Sequence, residues 1–467
     1  MKHRKRLAAV GLIAALMLLL AGCDADFLQA GFNSAQTKFN GETGVTASNV
    51  GTLHRLWVAN VQGGSSSRST PAVATIDKVK YVFVATSNGF LEKRRADTGA
   101  AVWAVDDHSA GTGNEGTSTS SPAIVTPSGG TTQVVIGSMD RHVYSYDART
   151  GAQLWAFPSG ASDYDPVTTS PTITPNGWVL VTMGEHVGHN FTCHGLAGCW
   201  GSVLWAVLRI DPHNGTGNGA WGLGTGTVFT DASGNPAPGT GTWGASSPAY
   251  DGATGDVFVG EPDTLIVPGQ TPDTTSGVLA LNAPDNGGAF SFLWEQRWDV
   301  GGVGIAAAPA VAGGRVFVSS INSLRSFNET TGALIATNTS THAEFSSPAV
   351  AGGTVFSGTD DGYTRALDAA TLTQVWTSGQ ALDSSNNPVS TASPVVVGEN
   401  DSKGVVPYVV FNTSGNGDVK AFNAAGSGTN TAIVTINDHG TGKGGVAVSG
   451  GVVYVQGTDG QLRAFGK

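Results

Sequence analysis

Hydrophobic residues along this chain fall into short runs of four to seven positions, bounded by Gly, Asp, Asn or Ser. Clear examples are "KYVFVATS" (80–87), "QVVIGS" (133–138) and "GRVFVSS" (314–320). Runs of this length that are rich in β-branched and aromatic residues are typical of strands. Continuous helical periodicity is confined to the first 22 residues. The pattern therefore predicts an all-β protein.

One phrase returns eight times: Ser-Pro-Ala-Val or a variant, an apolar run, a turn, a second run and often a Trp. Successive motif prolines, from Pro71 to Pro394, lie 39 to 77 residues apart, so the longer units contain insertions. Each unit predicts four short strands, with Pro at the start of the first, where a missing N–H is tolerated. The openings are "STPAV" (69–73), "SSPAI" (120–124), "TSPTI" (169–173), "SSPAY" (246–250), "AAPAV" (307–311), "SSPAV" (346–350), "ASPVV" (392–396) and "GGVAV" (444–448).

The two ends of the repeat array complement each other. The last unit stops at Lys467 after its third strand, whereas "GTLHRLWVANV" (51–61) is an extra strand before the first unit. Four-stranded units bury too little alone, and a closed ring leaves few exposed edges. We therefore predict an eight-bladed β-propeller of four-stranded antiparallel blades, closed by the N-terminal strand. The alternative is seven blades, if the third and fourth units are one.

The first 23 residues carry an export signal. "MKHRKR" is basic, "LAAVGLIAALMLLL" is apolar, and the segment ends in "LAGC". This pattern is typical of a secretory signal, and Leu-Ala-Gly-Cys resembles the bacterial lipobox, which implies acylation of Cys23. The alternative is an ordinary cleaved signal with an incidental Cys. The expected divisions are a signal peptide (1–22), a lipidated N-terminus with tether and lead-in (23–50), and one propeller (51–467). Nothing in residues 23–31 suggests packing, so we expect them to form only a short tether between lipid and ring.

Composition narrows the choice of partners. The chain contains 67 Gly and 20 Pro and has a formal net charge of −11. Without the signal, 20 basic residues face 35 acidic ones, and no basic stripe remains that would indicate nucleic-acid binding. We expect a lipoprotein held at the cell membrane, on the periplasmic side or at the cell surface.

The repeats resemble the PQQ-binding-like β-propeller superfamily over about residues 31–467. That superfamily includes quinoprotein alcohol dehydrogenases and non-enzymatic assembly lipoproteins of the BamB type. In "DARTGAQLW" (147–155) a Gly precedes a Trp by four residues. The resemblance implies that each such Trp docks on the Gly of a neighbouring repeat, although Ala336 and Leu372 break the pattern. The implied docking residues are Trp57, Trp103, Trp155, Trp221, Trp294 and Trp376.

The stretch "SSPAYDGATGDVFVGEPDT" (246–264) is similar to the dehydrogenase branch. There the resemblance implies that Glu261 stands in place of an Asn that helps hold the calcium ion on the quinone. Glu is a suitable calcium ligand. The family's paired Asp residues reduce to "RWDVGG", which leaves Asp299 as the candidate base. The vicinal Cys pair that stacks on the quinone and the CxxCH haem motif are both missing from the sequence.

The third unit contains a Cys- and His-rich insertion, "GEHVGHNFTCHGLAGCW" (184–200). In an oxidising compartment Cys193 and Cys199 would form a disulfide. Alternatively His186, His189 and His194, with the cysteines, would bind zinc or copper. The insertion is expected on one face of the ring, where loops on a rigid scaffold commonly carry function.

Two functions remain open from the sequence. The first is a membrane-anchored, extracytoplasmic scaffold that binds a protein or polymer partner on its loop-bearing face. The second is a PQQ- and calcium-dependent dehydrogenase of alcohols or polyols, with its cofactors held near Glu261 and Asp299. A propeller inherited for its shape need not keep the chemistry of its relatives, so the scaffold is the leading expectation and no cofactor is assigned.

Overall fold

The structure is a computed structural model in which β-strands make up nearly all of the regular structure, beside one short 3-10 helix, Val50–Thr52. Within the described part of the chain, no helix has the length and apolar character needed to cross a bilayer. The described residues are 25–62, 69–86, 89–106, 120–138, 140–159, 167, 169–185, 204–222, 246–261, 275–300, 305–343, 345–401, 404–437 and 444–467.

The strands form eight sheets, one for each sequence repeat. Blade 1 contains β3 (Ala72–Ile76), β4 (Val79–Ala85), β5 (Phe90–Arg95) and β6 (Ala101–Asp106). Blade 2 contains β7 (Ala123–Val125), β8 (Gln133–Gly137), β9 (Val143–Asp147) and β10 (Gln153–Phe157). Blade 3 contains β11 (Thr172–Ile173), β12 (Val179–Glu185), β13 (Leu204–Ile210) and β14 (Gly217–Gly222). Blade 4 contains β15 (Ala249–Asp251), β16 (Asp256–Gly260), β17 (Thr275–Asn282) and β18 (Ser291–Asp299).

The second half of the ring repeats the arrangement with small additions. Blade 5 contains β19 (Ala310–Ala312), β20 (Arg315–Ser320), β21 (Ser323–Asn328) and β22 (Leu334–Asn338). Blade 6 contains β23 (Ala349–Ala351), β24 (Thr354–Gly358), β25 (Thr364–Asp368), β26 (Gln374–Ser378) and the added β30 (Gly428–Asn430). Blade 7 contains β27 (Val395–Asp401), β28 (Gly404–Thr413), β29 (Asp418–Asn423), β31 (Val434–Asn437) and the added β1 (Phe39–Asn40). Blade 8 contains β32 (Val446–Ser449), β33 (Val452–Gln456), β34 (Gln461–Gly466) and β2 (His54–Asn60).

The ring is closed by its N-terminal strand, as predicted. Strand β2 pairs antiparallel with β34, and Trp57 lies opposite Ala464. The seven-blade alternative is wrong, because the third and fourth repeats form separate four-stranded sheets. The first strands of neighbouring blades contact one another around the ring, including β32 with β3. These first strands are therefore the inner wall.

The Ser-Ser-Pro motif joins blades as well as opening strands. The residue before the motif Pro donates its backbone N–H to the Ser Oγ at the same position of the next blade, at 2.8–2.9 Å. These bonds form a belt near the axis wherever the next blade has a Ser at this position. The bonded pairs are Thr70–Ser121, Ser121–Ser170, Ser170–Ser247, Ala308–Ser347 and Ser347–Ser393.

Indole rings join the outer parts of the blades. A Cβ added at Gly99 would lie 2.6 Å from Trp57 Cε3, and Gly99 has φ +70°. The Trp57 indole N–H donates to Ala96 O at 3.0 Å. Only Gly allows such close approach at this φ. The same contact joins Trp103 to Gly151, Trp155 to Gly215 and Trp294 to Gly332, and the Trp376 indole bonds Ala424 O at 3.1 Å.

One break in this pattern, between blades 5 and 6, is compensated. Ala336 stands at the Trp position, and Leu372 at the Gly position has φ +56° and is 1% exposed. Leu372 and Ala336 belong to one apolar cluster. The Leu372 side chain therefore fills the space that a docked indole would occupy, so the apolar contact now comes from the other partner.

We expect a Trp–Gly contact to be restored between blades 5 and 6 only when both residues are changed together. A336W would overpack the site and L372G would leave a cavity, so each single change should destabilise the protein. The A336W/L372G double variant should lose less unfolding free energy than the sum of the two single losses, by about 1–3 kcal/mol. Denaturant unfolding measures this coupling. A336W combined with V58A, which changes an exposed residue of blade 8 in another part of the ring, should be additive. Additivity in both pairs would contradict the proposed replacement.

The two faces of the ring differ in their connections. The first and third strands of each blade end at one face, here named the turn face, which contains short turns such as 313–314, 352–353 and 450–451. The opposite face, named the loop face, is where the first strands begin. Strand ends at the loop face flank the insertions at 186–203, 223–245 and 262–274, which lie outside the described residues.

The lead-in occupies the axis of the ring. Residues 27–40 hydrogen-bond the inner strand of every blade, at the second residue after the motif Pro or its equivalent in blade 8. A segment that touches all eight inner strands must lie between them. The inner-strand partners are Val73, Ile124, Ile173, Tyr250, Val311, Val350, Val396 and Val448.

The start of the lead-in differs from expectation. We expected residues 23–31 to form a short tether without packing, but Phe27 is fully buried and pairs with Val73 through two hydrogen bonds of 2.7 and 2.8 Å. Ser449 Oγ donates to Ala25 O at 2.7 Å. The tether interpretation of residues 25–31 is wrong, because the inner strands offer N–H groups that the lead-in satisfies.

Candidate functional site

Glu261 lies at the loop-face end of blade 4, directly after β16. Its side chain is buried, with the residue 3% exposed. Its N–H donates to Gly277 O at 2.8 Å, and its carbonyl accepts from the Ile305 N–H and Ser276 Oγ, both at 2.8 Å. These backbone bonds fix the position from which the carboxylate projects.

A guanidinium group faces this carboxylate. Arg297 Nη1 lies 3.5 Å from Glu261 Oε2 and 3.5 Å from Glu295 Oε1. Arg297 projects from β18, opposite Gly277 of β17. A buried carboxylate requires a compensating charge, and in this structure a side chain of the same blade supplies it.

Asp299 ends β18, two residues beyond Arg297 and opposite Thr275. Its backbone carbonyl accepts a hydrogen bond from Asn322 Nδ2 at 2.8 Å, and the residue is exposed. The structure thus places Glu261 and Asp299 at the same end of blade 4, on strands separated by β17.

The described residues around Glu261 do not fit a calcium-held quinone. Calcium requires six to eight oxygen ligands, and no group of three metal-ligating side chains occurs among the residues that the structure describes. A cation at the Glu261 carboxylate would also have to displace Arg297, which lies 3.5 Å away. We therefore derive no reaction through calcium or a quinone.

The axis contains a buried cation instead of an open channel. Lys38 of the lead-in is 6% exposed, and its Nζ lies 3.3 Å from Ala30 O. Burial lowers the pKa of Lys38 to about 8. The Lys38 carbonyl accepts the Val396 N–H, and Gln36 Nε2 donates to Thr172 Oγ1. The middle of the ring is therefore filled by the chain itself.

A second buried ionisable group lies where blades 4 and 5 meet at the turn face. Glu329 is 5% exposed, and its carbonyl accepts the Trp294 indole N–H at 2.7 Å. Burial raises the pKa of Glu329 to about 8, and a hydrogen bond and the charge of Asp251 add to the shift. Glu329 and Asp251 lie at the turn face, at the opposite end of the blades from Glu261, and form part of the contact between blades 4 and 5.

Several predicted site residues lie outside the described part of the chain. They are Cys23, His186, His189, Cys193, His194 and Cys199, and the side chain of Trp221 is also outside it. The lipidation of Cys23 and the choice between disulfide and metal at 184–200 stay predictions.

Arg297 is the residue that the sequence interpretation missed. In "WEQRWD" it alternates with Glu295 and Asp299 along β18. Period-two spacing alone would have placed all three on one side of the strand. It could not have shown that Glu261, 36 positions earlier in the printed sequence, approaches the same guanidinium.

This architecture is shared with known proteins. A family profile described as "Outer membrane protein assembly factor BamB" matches residues 27–173 and 275–406, more than half of the chain. No curated protein matches the sequence significantly.

Solved structures share the fold at low identity. Quinohemoprotein alcohol dehydrogenase from Comamonas testosteroni has a TM-score of 0.66 and 16% identity, covering 95% of this chain and 81% of that one. BamB from Moraxella catarrhalis has a TM-score of 0.55 and 16% identity, covering 89% and 100%. A europium-containing methanol dehydrogenase has a TM-score of 0.65 and 14% identity, covering 95% and 98%. At such identities the likeness shows the fold alone.

Proposed function

The chain belongs to the PQQ-like β-propeller family whose profile is described as outer membrane protein assembly factor BamB, and on that premise we propose that it is a non-catalytic scaffold. It is held at the extracytoplasmic side of a membrane through Cys23. It binds a protein or polymer partner through the loop face, where its repeats carry their insertions. The rigid ring supplies the fixed platform that such loops need.

The Glu261–Arg297 ion pair is the observation that favours a scaffold over an enzyme. The resemblance places a calcium ligand at Glu261, but the guanidinium of Arg297 already lies 3.5 Å from that carboxylate, between Glu261 and Glu295. Asp299 is exposed at the end of β18. These two features favour a propeller that kept its shape without the cofactor chemistry.

Cofactor reconstitution tests the enzyme alternative. Mature protein is incubated with PQQ and calcium, and we expect neither a thermal shift nor dye-linked oxidation of simple alcohols. R297Q is the matched variant: if Arg297 excludes cations from Glu261, calcium should raise the melting temperature of R297Q but not of the wild type. Saturable alcohol oxidation by the wild-type protein would establish the dehydrogenase and end the scaffold proposal.

Photo-crosslinking in cells tests the scaffold itself. A photoreactive amino acid replaces exposed Ser385 at the loop face or exposed Thr150 at the turn face. We expect a discrete crosslinked envelope partner from Ser385 and none of the same mass from Thr150. The same product from both positions, or from Thr150 alone, would contradict a partner site on the loop face.

A further inference from the structure

We propose that the turn face lies against the membrane and that the loop face points away from it. This inference rests on the proposed acylation of Cys23 and adds a fixed orientation. An ordinary lipoprotein on a long tether tumbles freely above the bilayer. The placement of residues 25–28 removes that freedom in this protein.

The first described residues are attached to the ring at the turn face. Ala25 O accepts a hydrogen bond from Ser449 Oγ at 2.7 Å, and Ser449 is the last residue of β32. Both Asp26 carboxylate oxygens accept hydrogen bonds from Thr75, from its N–H at 2.9 Å and its Oγ1 at 2.8 Å. Thr75 is the penultimate residue of β3. The chain therefore joins the turn-face end of the inner wall.

The lead-in also leaves the axis at the turn face. Strand β1 runs parallel to β27, with Phe39 opposite Val396 and Asn40 opposite Val397. It is thus directed from the loop face towards the turn face. Beyond it, Gly44 approaches Gly451 in the turn after β32, where an added Cβ would lie 2.9 Å from Gly451 Cα. The lead-in is a loop inserted from one side, and both of its ends emerge there.

The distance from the acyl group to the ring follows from the chain. Only Asp24 separates Cys23 from Ala25, and two residues span at most about 7 Å when fully extended. The turn face must then lie within a side-chain length of the lipid headgroups. The loop face lies farther away by the height of a strand, roughly 17–23 Å for five to seven residues.

Exposed aliphatic side chains also line the outer rim of the turn face, beside exposed charged turns that contain residues such as Asp97 and Arg149. In six blades the residue just before the docking Trp, or before Ala336, is an aliphatic side chain that is 38–46% exposed. Each lies near the start of its outer strand, beside the turn face, at a β-bulge. Apolar side chains repeated along one edge favour contact with a lipid interface. They are Leu56, Val102, Leu154, Leu293, Ile335 and Val375.

Fluorescence quenching on vesicles tests the orientation. The full chain is expressed with its signal so that acylation can occur, and a clickable amino acid carries a fluorophore at Thr150 or at Ser385. The purified protein is bound to phosphatidylcholine vesicles containing a headgroup nitroxide lipid. We expect severalfold stronger quenching at Thr150 than at Ser385. Equal quenching, or stronger quenching at Ser385, would overturn the inference.

A lengthened tether is the matched control. About ten Gly/Ser residues inserted after Asp24 add an r.m.s. length of roughly 17 Å, which should keep vesicle flotation while removing the difference between the two labels. A difference that survives the insertion would show that the short connection does not set the orientation. Flotation lost in C23S but kept in the wild type confirms the anchor. If the wild type and C23S both fail to float, the anchor itself is absent, and the proposed function fails together with this inference.

Discussion

Replacing Gly332 with Ala is expected to lower the free energy of unfolding by about 2–5 kcal/mol. Gly332 has φ +68°, and a Cβ there would lie 2.6 Å from Trp294 Cδ2. An L-residue in this conformation costs about 1–2 kcal/mol, and forcing the buried indole aside costs about 1–3 kcal/mol more. Trp294 would also lose its hydrogen bond to Glu329 O, which is 2.7 Å long. Denaturant unfolding followed by tryptophan fluorescence measures the loss.

Gly353 provides a control for the backbone part of this effect. It has φ +77° in a turn of blade 6, and an added Cβ there meets no atom within 4 Å. Gly353→Ala should therefore show only the conformational cost of about 1–2 kcal/mol. The difference between the two variants isolates the contact with the indole. Equal losses would mean that the ring of Trp294 moves aside freely and does not hold blades 4 and 5 together.

Phe27→Ala is expected to destabilise the protein by about 3–5 kcal/mol, the usual cost of removing a buried aromatic ring. Phe27 is fully buried and belongs to the core cluster shared by blades 7, 8 and 1. Its ring also packs against Phe32 with centroids 5.6 Å apart. Thermal or denaturant unfolding of the mature protein measures the change.

A variant of the neighbouring residue is the control that distinguishes a packed lead-in from a loose one. Leu28 is 38% exposed, so Leu28→Ala should cost only about 0.5 kcal/mol, as is usual for surface positions. A Phe27→Ala variant as stable as Leu28→Ala would mean that the N-terminal segment does not occupy the axis in solution. It would also remove the basis for a fixed orientation at the membrane.

The repeat made the ring predictable, because each blade is built from local signals. Pro71 and its equivalents mark where inner strands begin, and Gly151 marks a turn that needs positive φ. These signals recur in most units, so errors in one blade are corrected by the others. Closure followed from counting strands at the two ends of the array. The compensation at Leu372 was not predictable, since Leu rarely adopts φ +56°.

The path of the lead-in could not be predicted, because nothing local encodes it. Asn40 Nδ2 donates to Val448 O across 408 positions of sequence, at 2.7 Å. Polar residues such as Gln36 and Lys38 suggest solvent exposure, yet they are 2% and 6% exposed. Their burial depends on eight strands that come later in the chain. The candidate site shows the same limit, because the resemblance pointed to Glu261 and gave no hint of Arg297.

The pairing of β2 with β34, which closes the ring, has a consequence for how the molecule folds. The paired residues lie about 400 positions apart in the sequence. Because this contact order is high, the pairing is expected to form slowly relative to hairpins within a blade. Until it forms, β2 and β34 each present an unsatisfied edge. If acylation of Cys23 holds two partly folded copies close together on one membrane, they can exchange these strands, and each then completes the ring of the other. Crowding at a surface thus turns a device for closure into a route to strand-swapped dimers.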